Sequence, residues 1–177
     1  MRKRKIILKQ HQSPGDVLVF TRVVADLKLT YPDWDIDVRT PCPEIFENNP
    51  HITPLSDSDK DVELISLEND EDDIVHSSGE SGIHYTEGFV QEAEKKLGVK
   101  IKRHGMLPEI YLSDEEKGWI NQVADERFGI KYKGKFWLIN AGYKPGCILK
   151  WYPFYQEVVD LLKDKIQFVQ IGHKDHI

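Results

Sequence analysis

Residues 5–20, KIILKQHQSPGDVLVF, decide the fold of this 177-residue chain. The run from Lys5 to Gln10 holds three adjacent apolar residues, which is typical of a strand covered on both faces in a parallel sheet. Turn residues follow at positions 13–16, and Asp16 predicts the N-cap of a helix over Val17 to Tyr31. A strand, a short loop and a helix in this order predict the first part of an α/β fold.

The same alternation continues along the chain. Strands are predicted at Trp34 to Val38 and at Val62 to Leu67, with a short helix between them at Pro43 to Asn48. A longer helix is predicted at His84 to Leu97, and Gly98 ends it. Alternating strands and helices with short connections predict a parallel sheet with helices on both faces.

A second strand–helix–strand pattern occupies the last third of the sequence. Its strands are predicted at Phe136 to Asn140 and Ile166 to Ile171, with a helix at Pro153 to Leu162 that carries proline in its first turn. Before this pattern, a serine followed by three acids predicts a helix from Ser113 to about Phe128. Two parallel strands are too few for an independent domain.

We therefore predict two domains, residues 1–112 and residues 113–177, of which the second is incomplete. The small sheet of the second domain would then have an unpaired edge. Because such edges are usually covered or paired, we expect self-association, docking on the first domain or local disorder there.

The composition excludes several classes of protein. Apolar residues make up 40% of the chain and charged residues 31%, which argues against disorder or a fibre. No apolar run approaches the ~18 residues of a membrane span. Cys42 and Cys147 lie far apart, which favours a reduced, cytoplasmic protein. Cys147 and the lone histidines His84 and His104 are interpreted as structural or inert residues.

The net charge of −6 is unevenly distributed. Residues 57–73 hold nine acids and one lysine, and we interpret them as a solvated loop, because they lack the residue order of a calcium loop. No basic stripe with interleaved aromatic residues is present, so a nucleic-acid partner is disfavoured. The basic residues 2–5 would bind anionic lipid only weakly, as a peripheral membrane contact.

Two loops at the carboxyl ends of predicted strands carry the candidate chemistry. In the first, Ser13, Gly15 and Asp16 precede a helix, at the place where open α/β sheets bind ligands. Gly15 permits close approach of a ligand. The Asp16 carboxylate would stay ionised beside the positive end of the helix and could serve as a general base. The alternative is that Asp16 only caps the helix.

The second loop contains Asn140, Gly142, Lys144 and Lys150. Two lysines and several backbone N–H groups before a helix are typical of a phosphate site. The alternative is an ordinary loop with solvated lysines. The fingerprints of dinucleotide-binding, Walker-type and serine-hydrolase sites are absent from the sequence.

The order of these motifs resembles glycosyltransferase family 9, the ADP-heptose:lipopolysaccharide heptosyltransferases. The resemblance spans nearly all of the chain and rests on residues 13–18, 27–28, 31–32, 36–38, 43–52, 84, 97–99, 140–153 and 170–172. The sequence departs from the family pattern at a few positions, namely Gln10, Pro14, Arg22, Ala141, Trp151 and Tyr152.

The resemblance implies a GT-B architecture, with two Rossmann-like domains facing across a cleft. It also implies inverting, metal-independent transfer of a heptose-like sugar to a saccharide or lipopolysaccharide-type acceptor, with no cofactor besides a nucleotide-sugar donor, most directly an ADP-sugar. Asp16 would be the general base, and Lys150 would neutralise the leaving diphosphate. The remaining substrate and phosphate contacts would be Ser13, Gly15, Asn140, Gly142 and Lys144. The later donor-domain segment of the family would lie beyond Ile177, so we expect this chain to be inactive by itself.

Two other functions stay open at this point. One is a non-catalytic Rossmann-like module for binding or interaction, which would bind no nucleotide-sugar. The other is a different GT-B enzyme, such as a nucleotide-sugar epimerase, which product analysis would distinguish from a transferase.

Overall fold

The chain forms two compact units, Met1–Lys117 and Gly118–Ile177, and each is described by itself. The computed structural model describes residues 3–67, 82–121, 123–125, 132–142 and 152–172. The division into domains at residues 112 and 113 stays a prediction, because compact packing alone does not show which part of a chain folds independently.

A three-stranded parallel sheet is the framework of the first unit. Its strands are β1 (Lys5–Lys9), β2 (Asp35–Arg39) and β3 (Val62–Ser66), arranged in the order β2-β1-β3. The apolar residues at positions 6, 7 and 8 of the central strand are all fully buried. The predicted strand covered on both faces is therefore confirmed.

Two α-helices pack together on one face of this sheet. They are α1 (Pro14–Thr30) and α2 (Tyr85–Leu97), and a short 3₁₀ helix, Pro43–Phe46, joins β2 to β3. Both α-helices share one apolar cluster with Ile6 and Leu8 of β1. No helix among the described residues packs on the other face, and residues 68–81 after β3 lie outside the described residues, so a second helical layer stays a prediction.

The opposite face of the sheet carries a charged cluster at β2. Asp37 of β2 is almost fully buried, and its carboxylate accepts hydrogen bonds from the Arg39 guanidinium and the Leu55 N–H, each at 2.8 Å. Arg39 also pairs with Asp57 at 2.6 Å. These contacts give the buried carboxylate of Asp37 the partners that a buried charge needs.

The first helix begins earlier than its sequence pattern predicts. Its N-cap is Ser13, with Pro14 at the first helical position and Asp16 in the third, so the prediction of Asp16 as the N-cap is wrong. Proline suits the first helical position because that residue needs no hydrogen-bond donor there. The Asp16 carboxylate instead accepts the Ser13 N–H at 3.1 Å, as the third helical residue does in a capping box.

The second long helix begins and ends where its sequence predicts. His84 is the N-cap, and its ring Nδ1 accepts the Thr86 N–H at 3.2 Å. Gly98 ends the helix with a φ of 66°, a backbone conformation that glycine adopts without strain. The interpretation of His84 as a structural residue is confirmed at this position.

The predicted helix from Ser113 to Phe128 is wrong for most of its length. The observed helix α3 covers only Asp114–Lys117, although the predicted capping box forms between Ser113 and Glu116 at 2.7 and 3.1 Å. Gly118 follows directly, and the apolar side chains of Trp119 and Ile120 are mostly exposed. A helix of this length needs an apolar face packed on a partner, and of the apolar side chains described between Gly118 and Asp125 only that of Val123 is buried. Residues 126–128 lie outside the described residues.

The second unit confirms the predicted strand–helix–strand order. It contains β4 (Phe136–Ile139), α4 (Tyr155–Leu162) and β5 (Gln167–Gln170), and the two strands are parallel. Trp137 faces Phe168 across the strands, with ring centroids 6.2 Å apart. Helix α4 has no fully buried residue, so the described part of this unit contains little core.

Ion pairs and a hydrogen bond hold residues 104–109, which follow α2, against α1. Arg22 and Asp26 lie one turn apart on α1, with side chains 6% and 0% exposed and 2.9 Å between them. Asp26 also accepts the His104 N–H at 2.9 Å, and Arg22 pairs with the Glu109 carboxylate. Residues 104–109 are thereby held across the helix.

The Glu109 carboxylate lies among several hydrogen-bonding groups. Tyr111 donates its hydroxyl to it at 2.6 Å, and the His51 Nε2 lies 3.4 Å from it. Burial raises the pKa of Glu109, but the Tyr111 hydrogen bond and the charge of Arg22 outweigh that effect and leave the pKa below its ordinary value. The ionised form of Glu109 is therefore part of the native packing.

We expect Arg22→Leu to reduce the free energy of unfolding by about 3–5 kcal/mol, because it leaves the buried Asp26 carboxylate without its cation. Urea unfolding at pH 7 measures the effect. The double variant Arg22→Leu/Asp26→Leu should recover part of the loss, since no charge stays buried alone. A single variant as stable as the wild type would show that the pair does not stabilise the fold.

Glu109 also predicts a dependence of stability on pH. A carboxyl whose pKa is lower in the folded state stabilises the fold above its unfolded pKa, and this contribution disappears as the pH falls through the folded value. The urea midpoint of the wild type should therefore exceed that of Glu109→Gln at pH 7, and the difference should shrink below about pH 4.5. The exposed Glu115→Gln is the control, and an equal response in both variants would contradict the prediction.

Candidate active site at the start of the first helix

The carboxyl end of the three-stranded sheet positions the candidate site. The chain leaves β1 for β2 on one side, whereas β3 pairs with β1 on the other side. Ligands of open α/β sheets bind where the strand order reverses in this way. Gln10 follows β1, is fully buried, and accepts the Gln12 N–H at 2.7 Å through its side-chain oxygen. A hydrogen bond within the loop that leads to α1 therefore stabilises the conformation of that loop.

The Asp16 carboxylate is held by groups from two helices. Its Oδ2 accepts the Ser13 hydroxyl at 2.5 Å and the Ser13 N–H at 3.1 Å. Its Oδ1 accepts the Tyr85 hydroxyl at 2.5 Å. Asp16 is half-buried, so its carboxylate is oriented by the protein and still reachable. A carboxylate in this setting can accept a proton from a bound hydroxyl group.

A pair of phenylalanines lies beneath the contact between Asp16 and Tyr85. Phe20 stands one turn after Asp16 on α1, and Phe89 stands one turn after Tyr85 on α2, so each pair shares a helix face. The two phenylalanine rings are buried, and their centroids are 6.3 Å apart. The Tyr85 ring packs edge-on against Phe89 at 5.2 Å. The core thus sets the two polar residues opposite each other.

The Asp16 carboxylate lies at the start of one helix and is contacted by the side chain of the first residue of another. Asp16 lies in the first turn of α1, and Tyr85 is the first residue of α2. The amino end of a helix carries a partial positive charge, which favours an anionic group within the first turn. The amino end of α1 therefore favours the ionised form of Asp16.

The structure describes only some of the predicted site residues. Ser13, Gly15 and Asp16 lie together, and among the described residues a Cβ built on Gly15 would approach the Ser13 Oγ at 4.0 Å. In the second unit, Asn140 Oδ1 accepts the Gly142 N–H at 3.4 Å. Lys144 and Lys150 lie outside the described residues, and the roles of all these residues as substrate contacts stay predictions.

Tyr85 is the residue at this site that the sequence did not reveal. It lies 69 positions from Asp16, in no motif of the first loop. Its place directly after the N-cap of α2 was predictable, but its contact with Asp16 depends on how the two helices pack.

The described part of the acidic segment forms ion pairs. Asp57 pairs with Arg39, Asp61 with Lys5, and Glu63 with Arg4, at 2.6 to 2.9 Å. Within the described residues, no group of three or more histidine, cysteine or acidic side chains is arranged to hold a metal ion. Nor does any described helix have the length and apolar character to cross a membrane. The acids at positions 68–73 lie outside the described residues.

Comparison with protein-family models and with curated proteins gave no match. A similar solved structure is the crystal structure of the glycosyl transferase family 9 from Veillonella parvula DSM 2008, with a TM-score of 0.59 and 13% sequence identity. The match covers 97% of this chain and 63% of that chain. A likeness at this identity shows the fold. It confirms the predicted Rossmann-like α/β fold with parallel sheets, as in a GT-B fragment.

The helix-capping role of Asp16 predicts a modest effect on stability. Asp16→Asn removes a charge beside the start of α1 and replaces one acceptor oxygen, so we expect a loss of about 1 kcal/mol in the free energy of unfolding. Urea unfolding at pH 7 measures it, with the exposed Asp33→Asn as the matched control. A loss above about 3 kcal/mol would contradict the modest contribution expected of a helix cap.

Proposed function

We propose that this chain is part of an inverting glycosyltransferase, in which Asp16 takes the proton from an acceptor hydroxyl. The observation that carries the proposal is the Asp16 carboxylate itself, oriented at the carboxyl end of β1 by Ser13 and Tyr85. The likeness of the fold to a glycosyl transferase family 9 structure supports the same class of enzyme. Because the chain spans 63% of that structure's length, the activity is proposed for the whole protein.

The proposed reaction is a single displacement at the anomeric carbon of the donor sugar. The acceptor oxygen forms the new glycosidic bond while the bond from that carbon to the diphosphate oxygen breaks. The acceptor proton goes to Asp16, and the electron pair of the broken bond leaves with the nucleoside diphosphate. This chemistry needs a base for the acceptor and positive charge for the leaving group.

The remaining roles in the proposal follow from the sequence motifs. Lys150 would neutralise the departing diphosphate, and Asn140, Gly142 and Lys144 would bind the donor phosphates. Ser13 and Gly15 would lie beside the acceptor. The proposed donor is an ADP-linked, heptose-like sugar, and the acceptor is a saccharide or a glycolipid. The proposed reaction uses neither a metal ion nor a further cofactor.

The immediate surroundings of Asp16 suit an acceptor of this kind. Gly15 is exposed and has no side chain to obstruct the approach to the neighbouring carboxylate. A base must come within hydrogen-bond distance of the proton that it removes, about 2.6–3.2 Å between heavy atoms. A half-buried carboxylate beside glycine allows that approach.

Asp16→Asn is the variant that tests the base. In the full-length protein we expect nucleotide release from the preferred donor, among ADP- and UDP-sugars, to fall by about 10²-fold or more, because an amide cannot accept the acceptor proton. Calorimetry should show that the dissociation constant of the donor changes less than about threefold. The exposed Asp33→Asn should behave as the wild type does.

Other outcomes would favour other functions. Normal turnover in Asp16→Asn would show that Asp16 is not the general base. A wild-type protein that binds no nucleotide-sugar would be a non-catalytic module. A product that keeps its nucleotide and has a changed sugar would indicate an epimerase.

A further inference from the structure

We propose that Tyr85 positions the general base, by holding the Asp16 carboxylate in its ionised form and in one orientation. This inference rests on the function proposed above. Tyr85 acts through Asp16, so it is a positioning residue, and the bonds that form and break during transfer do not include it.

The contact joins the base to a second element of the fold. Ser13 precedes Asp16 by three residues, so its hydrogen bonds move together with α1. The Tyr85 hydroxyl comes from α2, and its oxygen lies 2.5 Å from Asp16 Oδ1. Because donors from different elements reach the two carboxylate oxygens, rotation of the carboxylate about its own axis would break bonds to both of them.

The start of α2 is anchored well enough to hold this hydroxyl in place. The Tyr85 ring packs on Phe89, which is 2% exposed and itself packs on Phe20 of α1. On either side of Tyr85, His84 caps the helix and the Thr86 hydroxyl donates to the Met106 carbonyl at 3.3 Å. The packed ring of Tyr85 and the anchored first turn of α2 therefore fix the position of the Tyr85 hydroxyl.

The chemistry of this hydrogen bond favours the charged form of Asp16. A phenol titrates near pH 10, so the Tyr85 hydroxyl keeps its proton and acts as a donor at neutral pH. A donor bonds more strongly to a carboxylate than to a neutral carboxyl group. During transfer the acceptor proton ends on Asp16, while Tyr85 retains its own proton throughout.

A purely structural role makes a different prediction. If Tyr85 only joined the two helices, its hydroxyl would affect stability but not the protonation of Asp16. The pH at which Asp16 titrates therefore separates the two roles, and it can be measured without any substrate.

The first test is Tyr85→Phe, which removes the hydroxyl and keeps the ring on Phe89. Carbon-13 NMR of the aspartate carboxyl groups, with the Asp16 signal assigned from Asp16→Asn, should show Asp16 titrating about one pH unit higher in Tyr85→Phe. The matched control is Tyr31→Phe, because the Tyr31 hydroxyl donates to the Lys100 carbonyl at 2.7 Å, away from Asp16. That variant should leave the Asp16 titration unchanged.

The second test is kinetic and uses the full-length protein with its preferred nucleotide-sugar. Tyr85→Phe should lower kcat about tenfold and change KM less than about twofold, because the hydroxyl orients the base and does not bind the donor. The acidic limb of the pH–rate profile should move upward by the amount that the NMR titration shows. Tyr31→Phe should change neither quantity.

The outcomes separate this inference from the function on which it rests. If Asp16→Asn is inactive but Tyr85→Phe changes neither the titration nor kcat, Tyr85 does not position the base and the proposed function stands. If the titration moves but Asp16→Asn keeps normal turnover, the contact exists and both proposals about catalysis are wrong. If Tyr85→Phe does not fold, the titration of the Tyr85 hydroxyl is measured in Asp16→Asn instead. Without the carboxylate as acceptor, this hydroxyl should titrate at a lower pH than in the wild type. An unchanged titration of Tyr85 would overturn the inference.

Discussion

The packing of Phe20 against Phe89 is the contact on which the candidate site depends. Phe20 also touches Phe46 of the 3₁₀ helix, with 6.5 Å between ring centroids, so one ring joins three elements of the core. A shift of either α-helix by one residue would rotate its side chains by about 100°. Asp16 and Tyr85 would then no longer face each other. The geometry of the polar pair is therefore a consequence of apolar packing one turn below it.

The position of Asp16 serves both the helix and the proposed chemistry. The start of a helix leaves N–H groups without partners and carries partial positive charge, so a carboxylate there stabilises the fold. The same place is where the loop after β1 opens to solvent at the end of the sheet. Asp16 can therefore stabilise the start of the helix and also face a ligand. A structural role for Asp16 does not argue against a catalytic one.

Local patterns predicted most elements of the fold, and the failures have physical reasons. The run Ile6 to Leu8 identified the central strand, because a strand buries consecutive apolar residues only when both of its faces are covered. The predicted helix after Ser113 ends at Lys117 because a good start does not sustain a helix whose next apolar residues, Trp119 and Ile120, stay exposed. The charged pair Asp37 and Arg39 on β2 was a sign that the second face of the sheet differs from the first, since alternate residues of a strand point to opposite faces.

The sequence by itself determined the order of strands and helices and the placement of Asp16 at the end of β1, because these depend on neighbouring residues. Only the tertiary structure decided which distant groups meet. The contact of Tyr85 with Asp16 spans 69 residues and that of Arg22 with Glu109 spans 87. Which distant residues come into contact depends on how helices and loops pack over a shared core. The periodicity of a single segment does not identify the segment that it will contact. The orientation of the candidate base is therefore a property of the fold.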